Sequence, residues 1–487
     1  MEEKLPIIEV TGDNLAQVWP SLSKALRDAT FVAMDCELSG LGNRSKIKSF
    51  ELDVRYQNMA EVARNYAIVA LGISCFSCNS VSSIDMQDEK GEEQIRSHDY
   101  MVQTFNVLTM CTDPFTVECD SLKFLHNHGF DFNKLYAKGI LYYKGCDRKN
   151  DKSLSVRNLF TKLLEYRKPL IVHNGLIDLI FLYQSFYCDL PKKNDTFAAD
   201  LDDLFPSGIY DTKYLAEFHQ AVPATYLEYL FKKMQLKNIS RQRNGQWHVR
   251  LRFPPYPRQT PNIDWYSYLQ IFSYRVEEDT DKRDLCQNYA FHGFCNDVKC
   301  SLSHNINRVV KVLQMQGAKK HGDSKYSSFK GGSLVHVIEK FTKTREEGKP
   351  QKRKSSSENV PSAKKCHLSS KETNEPEDIT KNSNGVVPEQ VQPQNLRRSA
   401  NGHRAGYDAF MTGYIFASIV SDKGVWTSKD NPFTPENIGL ADQVNKVYLG
   451  GKNFPFLIRT GAYASKSSKH CSKIEKVRSS ESTLRNV

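Results

Sequence analysis

Phe31-Val-Ala-Met-Asp35-Cys-Glu37-Leu-Ser-Gly40-Leu-Gly42 is an apolar run that closes on two carboxylates and a glycine-bearing turn. Thr30 to Asp35 reads as a buried strand. Side chains at i and i+2 share one face of a strand, so Asp35 and Glu37 point the same way. Two anions on one face repel unless a cation sits between them, and hard divalent ions suit carboxylate oxygens. Ser39 to Gly42 reads as a flexible turn where backbone can approach a ligand. Taken alone, Asp-x-Glu also describes the solvated end of an ordinary strand.

Working outward, Ala67 to Phe76, Gln103 to Thr109 and Leu170 to His173 read as three further strands. Asn14 to Leu26 has helical spacing, with Leu15, Val18, Trp19, Leu22 and Leu26 on one face. Leu176 to Phe186 reads as a helix apolar on most sides. Strands mixed with helices predict an α/β or α+β domain with a covered sheet. The chain has 487 residues, room for about three units of roughly 150 residues each. Its 67 Lys and Arg against 56 Asp and Glu give +11, a balance that suits an anionic partner such as nucleic acid. No stretch is long and apolar enough to span a bilayer, so no membrane partner is expected. Met1 to Ile8 has no basic end followed by an apolar run, so no secretory signal is expected either. The twelve cysteines, mostly scattered through apolar segments, read as reduced and intracellular.

Two more elements carry acids at places an inert fold has little use for. His173-Asn-Gly-Leu-Ile-Asp178 stands at a strand-to-helix junction, and Asp178 lies in an apolar run where a carboxylate needs a partner or a metal. The same residue also fits a first-turn aspartate favoured by the helix dipole. In His403-Arg-Ala-Gly-Tyr-Asp408 the spacing of five lets a histidine at a helix start lean over the aspartate one turn on. Such a histidine can take a proton from a water, although a lone His is more often structural.

Phe31 to Gly40, Val172 to Leu179, Tyr210-Asp-Thr-Lys213-Tyr-Leu and His403 to Ala409 together resemble the histidine branch of the DEDD exonuclease superfamily. More narrowly they resemble the deadenylase family of poly(A)-specific ribonuclease and its CCR4-associated relatives. That resemblance implies a ribonuclease H-like α/β sheet with the carboxylates at its centre. Asp35, Glu37, Asp178 and Asp408 match the family's ligands for two Mg2+ ions, which Mn2+ can replace, and His403 matches its general base. Lys213 matches a lysine near the RNA, and also fits a solvated charge near a helix start. Asp211 reads as a helix cap rather than a ligand. The implied reaction is 3′-to-5′ release of nucleoside 5′-monophosphates from RNA with a free 3′ end.

Cys286-x8-Cys295-x4-Cys300-x3-His304 is the spacing of a closed, tetrahedral zinc site, structural in role. It resembles the CCCH zinc-finger family, which binds single-stranded RNA by stacking bases on aromatics. A gap of four stands where five is commoner, so a purely structural or protein-binding finger stays open. Gln314 to Ala400 is rich in Lys, Ser, Asn, Glu, Pro and Gln and reads as disordered, with a short helix at Leu334 to Phe341. Within it, Lys349-Pro-Gln-Lys-Arg-Lys354 with Lys364-Lys365 reads as a two-part nuclear localisation signal met by an import receptor, or as a solvated run with nonspecific RNA affinity. The expected layout is an exonuclease domain over 1–275, a finger over 280–308, a disordered linker over 309–400, the rest of the exonuclease over 401–460 and a disordered tail over 461–487. A split enzyme with this finger and signal resembles nuclear, Cajal-body and speckle-associated members that trim adenylated small nuclear RNA. A catalytically inactive RNA-binding adaptor and a 3′-to-5′ DNA exonuclease are the rivals, and the oligomeric state is not legible.

Overall fold

The computed structural model describes residues 4–88, 91–148, 154–220, 222–257, 260–266, 283–295, 297, 299–320 and 404–484, with side chains left out at 84–95, 314–320 and beyond 479. One compact unit comprises 1–318 and 398–487; the rest, 319–397, lies almost wholly outside the described residues. His403, the basic cluster at 349–365 and the Leu334 to Phe341 segment also lie outside them.

Among the described residues, eleven strands form one mixed sheet: β1 (Leu5–Val10), β2 (Phe31–Leu38), β3 (Ile68–Asp88), β4 (Gly91–Cys111), β5 (Ile140–Tyr142), β6 (Leu170–Val172), β7 (Ile209–Asp211), β8 (His248–Arg252), β9 (Ile263–Tyr266), β10 (Lys446–Val447) and β11 (Phe456–Leu457). The main order is β11-β10-β7-β6-β2-β3-β4-β1-β9, with β5 and β8 also paired to β4. Strands β2, β6, β7 and β10 run parallel to one another, so the segments that follow them leave the same edge. In β2 the first four residues are buried and the last four half-buried, as expected of a central strand that emerges at its carboxyl end.

The helices are α1 (Leu15–Asp28), α2 (Leu52–Asn65), α3 (Cys119–Asn127), α4 (Phe132–Lys138), α5 (Val156–Glu165), α6 (Leu176–Leu182), α7 (Asn194–Leu204), α8 (Thr212–His219), α9 (Leu227–Arg243), α10 (Gln287–His292), α11 (Ile306–Lys320), α12 (Ala405–Lys423) and α13 (Ser468–Leu484). A π-helical turn, Tyr183–Tyr187, prolongs α6. Helix α12 is apolar on every side and buried from Ala405 to Ser421, which marks a core helix rather than a surface one. Its Phe410 stacks on Phe76 of β3 at 6.2 Å, and Phe416 meets Phe31 of β2 edge-on at 5.0 Å. Among the described residues, no helix is long and apolar enough to cross a membrane.

Three expectations need correction. The tail predicted as disordered from 461 contains α13, which packs on α5 with Ile474 and Val477 buried. Polar anchors replace apolar area there: buried His470 bonds Tyr187 Oη at 2.9 Å, and Asp203 accepts from Lys466, His470 and Arg478. The linker predicted from 309 begins as a helix, because α11 runs to Lys320 and buries Val309, Val310 and Leu313. Nor are all cysteines reduced: Cys146 and Cys188 form a disulfide, while the nine other described cysteines are free.

Candidate active site

Asp35 and Glu37 share a face of β2, and α12 brings Asp408 to them. One oxygen from each of the three carboxylates lies within 4.8 Å of the others. Asp178, in the first turn of α6, stands beside this group rather than within it. Its carboxylate accepts from the Cys36 thiol, the Cys36 backbone N–H and its own N–H, and burial pushes it up to about 7. Burial, then the charges of Asp408, Asp178 and Glu37, hold the Asp35 carboxyl well above the usual range. Neighbouring carboxylates that raise the proton affinity of Asp35, with hard oxygen donors converging, make a donor set suited to divalent cations. Cys36, inside the motif with its thiol on Asp178, was not singled out by the sequence.

The backbone fixes these acids from a distance. Asp35, Gly72 and Asn106 form one row across β2, β3 and β4. Asn106 Oδ1 accepts the Gly406 N–H at 3.1 Å, which seats the start of α12 on that row. Arg404 is held by Glu9 at 3.1 Å, by Tyr266 Oη at 3.1 Å and by Asp264. The turn after β2 is pinned rather than flexible: Ser39 Oγ donates to Thr116 O at 2.7 Å, and Leu41 N–H to Glu118 Oε2 at 3.1 Å.

Asp211 is fully buried and caps α8, as expected, but does more. Its two oxygens accept backbone N–H groups from Asn174, Gly175, Lys213, Tyr214 and Tyr448. The turn that delivers Asp178 is therefore held by β7. Asn174 sits there at φ +57°, a left-handed conformation that asparagine tolerates better than most residues.

A family model described as CAF1 family ribonuclease matches residues 10–154 and 144–416. The chain belongs to the CAF1 ribonuclease family. Over 155 residues, 31% of its length, it is 27% identical to poly(A)-specific ribonuclease PNLDC1 of Mus musculus. It is 26% identical over 148 residues, 28% of its length, to poly(A)-specific ribonuclease PARN of Danio rerio. With the pre-piRNA 3′-exonuclease trimmer of Bombyx mori it shares 22% over 218 residues, 43% of its length. These matches span 28%, 20% and 35% of the relatives' own lengths.

Elsewhere in this CAF1-family chain, Lys213 is half-buried and partnered rather than a freely solvated charge. Its Nζ donates to Thr225 O at 3.1 Å and Thr225 Oγ1 at 2.9 Å, and lies 5.0 Å from the centre of the Tyr448 ring. Burial lowers its pKa. The four finger residues do converge, with one ligand atom each from Cys286, Cys295, Cys300 and His304 within 4.8 Å. Three sulfurs and an imidazole nitrogen in that space fit a tetrahedral zinc ion. Tyr289 stacks on His304 at 4.9 Å and donates to Glu228 of α9 at 3.2 Å, so the finger is docked on the sheet domain.

Proposed function

We propose that this chain is a 3′-to-5′ exoribonuclease that shortens RNA tails to nucleoside 5′-monophosphates. The convergence of Asp35, Glu37 and Asp408 from two distant segments, with Asp178 beside them, carries the reading. Relatives whose names specify poly(A)-specific ribonuclease and 3′-exonuclease support it. Asp35, Glu37, Asp178 and Asp408 would hold two Mg2+ ions, or Mn2+, which when bound stabilise charge on both the attacking and the leaving oxygen. His403 takes the proton of the attacking water in this reading; Arg404, the next residue along the chain, is clamped by Glu9. Cys286, Cys295, Cys300 and His304 would hold one structural Zn2+ in a finger that interrupts the nuclease domain and contacts RNA. The basic cluster at 349–365 directs nuclear import, and adenylated small nuclear RNA is the substrate class.

Purified chain is incubated with Mg2+ and 5′-labelled RNAs ending in A, U or mixed tails, beside a DNA of the same sequence. Stepwise shortening of RNA from the 3′ end is expected, and its loss in Asp35→Ala/Glu37→Ala. Undiminished hydrolysis in that variant removes the reading, and preference for DNA redirects it. A fluorescent fusion that stays nuclear after substitution of Lys349, Lys352, Arg353, Lys354, Lys364 and Lys365 removes the import assignment.

A further inference from the structure

An RNA whose 3′ end reaches the carboxylates must leave over some face of the protein. Beyond the carboxyl edge that carries Asp35 and Asp178, two phenylalanines stand in solvent. Phe50, between β2 and α2, is 86% exposed, and Phe454, between β10 and β11, is 47% exposed. Lys452 Nζ lies 3.3 Å over the Phe50 ring centre and 5.8 Å from that of Phe454. Beside them opens a cleft of about 410 Å³, lined in part by Leu52, Phe454, Arg459 and Tyr463, with Asp195 a carboxylate on its wall. Tyr463 is fully exposed.

Exposed aromatic faces with a cation between them are what single-stranded nucleic acid needs: a surface for each base and a charge for the phosphate. The segment that carries Lys452 and Phe454 is tied to the candidate active site at its start. Tyr448 N–H donates at 3.0 Å to Asp211, the carboxylate that also holds the turn before Asp178. Arg55 Nη1 donates to Gly450 O at 3.0 Å and braces the same segment from α2. Four residues span at most about 14 Å, so Lys452 stays near Tyr448 and the Lys213 ammonium over its ring.

We propose that Phe50, Lys452 and Phe454 form a binding site for the single-stranded nucleotides upstream of the 3′ end, with the adjoining cleft taking the next ones. The proposal rests on the exoribonuclease reading for its ligand. It is tested on the full chain with Phe50→Ala/Phe454→Ala, Phe454→Trp and Lys452→Ala, each checked for an unchanged melting temperature. Fluorescence anisotropy of a 5′-labelled RNA of about twenty nucleotides, in buffer without Mg2+ or chelator so that hydrolysis stops while the finger keeps its zinc, reads Kd; hydrolysis of a trinucleotide in Mg2+ reads the reacting site. Each aromatic removed is expected to weaken Kd about tenfold, with trinucleotide kcat unchanged and Phe454→Trp retaining wild-type affinity. Lys452→Ala should flatten the salt dependence of Kd by about one charge. A Phe50→Ala/Phe454→Ala variant within twofold of wild type, or a wild type that binds no RNA, overturns the platform and leaves the patch to a protein ligand. An equal loss of trinucleotide kcat also overturns it. A wild type that binds RNA but hydrolyses none retires the nuclease reading, while the Kd comparison still decides the platform.

Discussion

Gly72 lies directly across the β2–β3 ladder from Asp35, and a Cβ on it would stand 1.8 Å from the Ala405 carbonyl oxygen. Only a residue without a side chain lets α12 begin against β3 at that point. Gly72→Ala must push back the helix that carries Asp408. Overpacking of this kind costs about 1–3 kcal/mol of stability. A shift of about 1 Å at a reacting group costs on the order of 100-fold in rate, so hydrolysis should suffer more than folding. Urea melts beside RNA hydrolysis rates check this; a wild-type kcat would mean that the contact does not set Asp408.

Asp211→Asn keeps the volume but turns an amide NH2 toward backbone donors. Five N–H groups then compete for one acceptor oxygen. A loss of about 1.5–3 kcal/mol is expected, the range for hydrogen bonds to a charged group. Amide hydrogen exchange should rise at 174–175 and 448, the segments held through Asp211, and not in β4.

His98 is stacked between Trp247 at 4.9 Å and Trp426 at 5.4 Å, with Ser421 Oγ and the Trp426 carbonyl on its two nitrogens. Burial lowers its pKa, opposed in part by the Trp426 carbonyl and Asp99 and aided by His248. The unfolded chain therefore binds more protons below the ordinary value of 6.5. Stability from this site is whole above pH 6.5 and is lost as pH falls toward the folded value, at up to about 1.4 kcal/mol per pH unit. Melting temperatures at pH 7 and pH 5 should differ less in His98→Gln than in the wild type.

One zinc per chain is expected by elemental analysis, and none in Cys300→Ser. A finger with few core residues of its own loses its fold with its metal. Residues 283–305 should then exchange freely, while the sheet domain, which meets the finger through Tyr289 and the Tyr226 face, keeps its melting transition.

The acids were legible in the sequence because each follows from local pattern: i and i+2 on a strand for Asp35 and Glu37, a first helical turn for Asp178 and Asp408. The residues that hold them were not. Gly72 and Asn106 belong to the site only through strand register, and Glu9 only because β1 pairs with β4 beside α12. Lys213 looked exposed because its partner Thr225 lies in a loop that periodicity does not place. Helix α13 was missed although His470, Ile474 and Val477 follow helical spacing, since the lysines and serines around them mask so thin an apolar stripe.

Helix α12 fills the middle of the sheet's packing yet is encoded after residues 321–403. On the ribosome, strands made early must wait with an apolar trough open until that late segment arrives. A message truncated anywhere in the intervening stretch yields a sticky client for chaperones, not a smaller working protein.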